Sequence, residues 1–246
     1  MTAARIALLL IAFLLWSPRP VAAALKPAKD PCPLHAVSFM LVAQGQTGHV
    51  DRYVVALLLR GSDPVTANLQ IPGLQNDIAS PVIPPDPNGA ESLNHYVLDV
   101  PRAVSPTGIT VYGLLIHGRG DRDVVCKQPI HLVTTAPAGS LGHFDDSALS
   151  ASDLLYLRPV TEAHVVQSAP ASFPAGTAQF SGPIIVAVTV GAGGNIVAAR
   201  IDQSSGYPSL DAAALSAARK TVFSTPQFDG APIALEYFVS YRPGGR

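Results

Sequence analysis

Residues 183–241 constrain the fold more than any other stretch of the chain. "PIIVAVTV" (Pro183 to Val190) is an apolar run of strand length, "GAGGN" (Gly191 to Asn195) is a glycine-rich connection, and "IVAARIDQ" (Ile196 to Gln203) reads as the return strand of a hairpin. A helix follows, beginning between Pro208 and Asp211 and running to about Val222, because Leu210, Ala214, Ala217 and Ala218 recur at helical spacing. That stripe is mostly alanine, so the helix can lie close on a sheet. Pro208 suits a first helical position and Ser209 is a candidate cap. Asp211 complements the positive end of the helix dipole, as Arg219 and Lys220 complement the negative end. Pro226 and Gly230 close the connection, and "IALEYFVSY" (Ile233 to Tyr241) forms a last strand. The order is β-β-α-β.

The corner between the second strand and the helix carries unusually specific punctuation. Ser204, Ser205, Gly206, Pro208, Leu210 and Asp211 are assigned an architectural role, Gly206 supplying permissive dihedrals and Leu210 anchoring the helix on the sheet. The series Ser204-Ser205-Gly206-Tyr207-Pro208-x-Leu210-Asp211-x-Ala213-Ala214 resembles the C-terminal domain of the TonB family. Phe173-Pro174, Gly182 and the Asp229-Gly230 turn fall in order with it, and the resemblance covers roughly residues 165–243. The family's Trp-x-Phe-x-Pro run at the helix end is replaced here by Val222-x-Ser224-x-Pro226.

Before this module the chain reads as a second, all-β region. Hydrophobic residues make up 48% of the 246 and charged ones 13%, while 23 prolines and 20 glycines favour many turns and short elements over long helices. Six runs alternate in strand fashion between Gly, Pro, Asp and Asn: Ala36 to Ala43, Tyr53 to Arg60, Asn68 to Ile71, Ser92 to Val100, Thr110 to His117 and Val124 to Thr134. They predict an antiparallel sandwich or barrel. The Pro-rich stretch from Ser80 to Ala90 is a loop within it. The fold class is therefore α+β, an N-terminal antiparallel all-β sandwich or barrel followed by the small β-β-α-β domain.

The remaining divisions follow from composition. Arg5, the apolar run Ile6 to Trp16 and the small residues Val21 to Ala24 read as a secretory signal peptide over residues 1–24. The apolar run rises only about 16 Å as a helix against roughly 30 Å of hydrocarbon. A cleaved signal places the chain in the periplasm, where Cys32 and Cys126 are expected to form a disulfide worth about 4 kcal/mol by loop entropy. Residues 25–135 are thus a disulfide-tied β-rich domain, 136–153 a linker that loses the alternation, and 154–246 the TonB C-terminal-like domain.

Function is read from what a small three-stranded sheet leaves open. One helix covers one face, so the sheet keeps edges whose unpaired N–H and C=O groups accept an extended peptide. The resemblance implies the same, with capture of an outer-membrane receptor segment beside the last strand. The partner-binding edge is placed at Ile233, Ala234, Leu235, Glu236, Tyr237, Phe238, Val239, Ser240 and Tyr241. Leu235, Tyr237, Val239 and Tyr241 share one face, Glu236, Phe238 and Ser240 the other, and periodicity leaves open which of them meets the helix. The expected function is a periplasmic TonB-like protein-binding module linked to TonB-dependent outer-membrane transport. Edge pairing between two copies gives a homodimer by the same physics.

The alternatives are a membrane-anchored energy transducer, if the N-terminal segment stays uncleaved, and a secreted hydrolase or metal enzyme. The chain lacks the long Pro-rich spacer with Lys or Glu repeats that a transducer needs. Seven histidines, at 35, 49, 95, 117, 131, 143 and 164, stand in no H-E-x-x-H or Gly-x-Ser-x-Gly setting. His143 with Asp145 and Asp146 is the one cluster suggestive of a metal, and it reads as solvated loop polarity. The Arg-Gly-Asp triplet within His117 to Asp123 reads as a charged turn. No enzyme, cofactor or metal is expected. A net charge of −1 with no basic block excludes nucleic acid as a partner.

Overall fold

Alternation along the first half is realised as β1 (Leu34–Gly45), β2 (Val50–Leu59), β3 (Val65–Gln70), β4 (Ile78–Ala79), β5 (Ser92–Pro101), β6 (Ile109–Ile116) and β7 (Arg122–Ile130). The computed structural model describes residues 33–61, 63–85, 91–116, 122–130, 133–150, 153–174 and 182–243. The segment expected as a signal peptide, Cys32, and the Arg-Gly-Asp triplet lie outside the described residues. Short strands follow: β8 (Thr134–Thr135), β9 (Gly142–Phe144), β10 (Arg158–Pro159) and β11 (Val165–Gln167). The C-terminal part comprises β12 (Ile184–Val190), β13 (Ile196–Gln203), α1 (Pro208–Ala218), β14 (Val222–Phe223), β15 (Gln227–Phe228), β16 (Ala231–Pro232) and β17 (Leu235–Tyr241).

The largest sheet has the order β10-β5-β2-β1-β8, with β9 also on β1, and a second has the order β4-β3-β6-β7. Among the described residues no sheet closes into a barrel, so the barrel alternative is overturned. Nor is the pairing wholly antiparallel. Both β8 and β9 run parallel to β1, because the chain returns to that edge by a long crossover instead of a tight turn.

β2 explains how the N-terminal and C-terminal parts meet. Its sequence is almost continuously apolar, a sign that both faces are covered. Tyr53, Val55, Leu57 and Leu59 join Val65, Ala67, Leu69, Ile109 and Val111 of the second sheet in one cluster. On the opposite face Val54, with Met40, Val42 and Val97, packs against Phe228, Ile233 and Leu235. The C-terminal part therefore completes the core of the largest sheet. Within the stretch expected as a linker, β9 pairs with the edge of β1 and Asp146 follows it there. The Asp146 carboxylate accepts the Thr47 amide at 2.8 Å and its hydroxyl at 2.6 Å. A Cβ on Gly45 would lie 2.2 Å from an Asp146 oxygen, so only glycine lets this segment approach.

In the C-terminal part β12 is central, flanked by β13 and β17. Leu210, Ala214 and Ala218 of α1 pack on Ile184, Val186, Val188 and Val190. The helix ends at Ala218 rather than near Val222, because β14 follows at once and pairs with β11. Ser209 is not the cap: Tyr207 occupies that position, with no side-chain cap bond. Arg219 is the C-cap and the last turn holds no basic residue, which corrects the expectation at that end.

Asp211 fastens the strand-to-helix corner from within the first turn. Its carboxylate accepts the Ser204 hydroxyl, the Ser205 amide at 2.8 Å and the Ser205 hydroxyl at 2.7 Å. Gly206 takes a φ of +78°, in the left-handed region where a side chain is strained. Desolvation works to raise the Asp211 carboxyl, but the Ser204 and Ser205 bonds outweigh it and hold it below 3.8. A carboxyl depressed on folding contributes stability that is present above the unfolded value and is lost as pH falls through the folded one. Asp211→Asn is therefore expected to narrow the acid-induced loss of stability below about pH 4, measured by urea midpoints across pH. An identical pH profile for both proteins contradicts this account.

Candidate functional site at the outer edge of the C-terminal sheet

β17 pairs with β12 from Ile184↔Tyr241 to Val190↔Leu235, all antiparallel. Among the described residues no strand pairs its other side. Ile233 and Ala234, which the sequence placed on the edge, precede the strand and are buried. Val239, Tyr241 and Tyr237 pack with α1, which decides the face left open by periodicity. Glu236, Phe238 and Ser240 consequently lie on the face away from the helix.

The edge is held at its start by the N-terminal part. His95 on β5 has a fully buried side chain. Its Nε2 lies 2.7 Å from the Glu236 carbonyl oxygen, and its Nδ1 lies 2.9 Å from a Glu162 carboxylate oxygen. Both partners are acceptors, so both bonds are complete when each ring nitrogen carries hydrogen. The His95 backbone N–H also donates to Glu162, at 2.9 Å. Tyr237 extends the group, its hydroxyl donating to Glu162 at 2.9 Å and accepting the Ala163 N–H at 2.8 Å.

Electrostatics follow from this packing. Desolvation pushes the Glu162 carboxyl up, yet the bond and attraction of His95, joined by the Tyr237 hydroxyl, bring it below 4.5. Burial, then the Glu162 charge, pushes the Tyr237 hydroxyl far above its ordinary value, so it serves as a neutral donor. Glu236 is raised by burial, with Arg200 opposing; their side chains pair at 3.0 Å. In an antiparallel ladder the N–H and C=O of one residue point the same way. The Glu236 carbonyl turned to His95, away from β12, thus directs the main-chain groups of Glu236, Phe238 and Ser240 outward.

Residues 174–243 match the family of Gram-negative bacterial TonB protein C-terminal domains. The chain carries a TonB C-terminal domain. A search of the curated proteins and a search of the solved structures each returned no match. The TonB C-terminal family is a non-enzymatic, transport-associated one of the bacterial envelope, and its domains interact with proteins such as outer-membrane receptors. In this TonB-like protein no helix among the described residues is long and apolar enough to cross a membrane.

The other sequence candidates have different surroundings. His143 is exposed on β9, Asp145 accepts the Ser147 amide at 2.9 Å, and Asp146 is committed to Thr47. No group of three or more potential metal ligands occurs among the described residues. Cys126 lies on β7 opposite Gly113. His95 and Glu162 escaped the sequence reading. A histidine in an alternating strand and a glutamate in an irregular segment carry no spacing that links them, and only the docking of β17 brings them together.

Proposed function

We propose that this TonB-like protein acts in the periplasm as a binding module that captures an extended peptide beside β17. The reading links it to TonB-dependent outer-membrane transport, with a receptor segment as the partner. It is supported by one observation above all: β17 has a strand on one side and none on the other among the described residues. Main-chain groups directed outward supply affinity, while alternate side chains of the added strand meet the helix side or Phe238.

A proline at an outward position removes a donor without touching the β12 ladder. Ser240→Pro is expected to weaken binding of outer-membrane receptor peptides about tenfold, the loss of one main-chain hydrogen bond, with the urea midpoint little changed. Titration calorimetry with such peptides tests it. Equal binding by the variant and the unaltered protein sinks the assignment to this edge.

A further inference from the structure

We infer that the N-terminal β region sets the length of segment that β17 accepts, with His95 as the stop. The inference rests on strand addition at β17 and defines its partner as a short extended segment, ending before Glu236, with an apolar side chain opposite Phe238. A strand added to a sheet lies about 4.8 Å from its neighbour and bonds to every second residue. On β17 those residues are Glu236, Phe238 and Ser240.

The first of the three is already occupied. His95 Nε2 holds the Glu236 carbonyl at 2.7 Å, and its buried ring stands where the main chain of an added strand would run. The ring cannot swing aside cheaply. Glu162 pins its other nitrogen at 2.9 Å and its own amide at 2.9 Å, and the same carboxylate holds the Tyr237 hydroxyl. Moving His95 would strand a carboxylate and a carbonyl without their donors. Among the described residues no side chain clamps the main chain of Phe238 or Ser240 in this way. Peptide residues extending past Phe238 toward Glu236 therefore find no main-chain partner on β17.

The test uses acetylated, amidated synthetic peptides of alternating valine and lysine, four, six and eight residues long, with affinity read by fluorescence anisotropy. In the unaltered protein affinity is expected to change less than about twofold from the shortest to the longest. His95→Ala frees the Glu236 groups, and the longest peptide should then bind about tenfold more tightly than the shortest, the gain from one or two added main-chain bonds. His95→Gln, which still offers one N–H to the carbonyl, should restore the stop. If His95→Ala does not fold cooperatively, Glu162→Ala releases the ring from its pin and should give the same gain. Affinity that climbs with length equally in the unaltered protein and the variants overturns the stop alone. No binding of any peptide to any of them overturns strand addition and the stop with it.

Discussion

Asp99→Ala is expected to lower the unfolding free energy by about 3–5 kcal/mol, the cost of leaving buried charges without their partner. Asp99 is wholly buried on β5. Arg52 of β2 reaches it through Nε at 2.7 Å and Nη2 at 3.0 Å, and Arg158 of β10 donates to its second oxygen. Both guanidiniums are themselves largely enclosed, and aromatic rings cover them. Phe144 lies 3.8 Å and Phe228 4.8 Å from the Arg52 carbon, and Phe228 lies 4.5 Å from that of Arg158. Removing the carboxylate strands Arg52 beneath those rings and leaves Arg158 with only the exposed Asp229, at 3.7 Å. Replacing the whole set, Arg52→Met with Asp99→Leu and Arg158→Met, is expected to come close to the unaltered protein, because apolar packing substitutes for the network. Urea midpoints for the single and triple variants separate the two cases. A cost under about 1 kcal/mol for Asp99→Ala would place the pair with surface ion pairs and refute the account.

The same network shows where sequence reading succeeds and where it stops. Strands with seven or more residues in the described fold announce themselves by apolar runs or alternation and by the turns that bound them, as β2, β5, β12 and β17 do. Two-residue and three-residue strands have no period to detect. β8, β9 and β10 form because the largest sheet offers open edges, and that offer exists only after long-range folding. Arg158, Asp99 and Phe228 likewise come from three distant segments, and nothing in their spacing connects them. The helix stripe was legible because Leu210, Ala214, Ala217 and Ala218 are set by local geometry. Its end was not, since the pairing of β14 with β11 overrides helix propensity after Ala218. Ser209 has the residue type of a cap, but Tyr207 takes that position, and the Asp211 carboxylate bonds back to Ser205 ahead of the helix.

Leu210→Ala is the second large effect, expected at about 2–5 kcal/mol. α1 buries four side chains, and three of them are alanines that contribute little apolar area each. Leu210, 2% exposed, is the helix's one fully buried large side chain in the cluster formed with Val186, Val188, Val190 and Phe223, and Leu215 packs against that cluster only half-buried. Truncating it leaves a void that the alanine stripe cannot fill, since Ala214 and Ala218 already sit fully buried against the strands. The reverse change tests the same tight fit: Ala214→Leu should cost about 1–3 kcal/mol by forcing helix and sheet apart. Because Tyr237, Val239 and Tyr241 of β17 pack in that cluster, both changes loosen the support behind the open edge. Peptide affinity should therefore fall along with stability in both variants. A Leu210→Ala protein that keeps the urea midpoint of the unaltered chain would show that α1 is held by something other than its one fully buried large side chain.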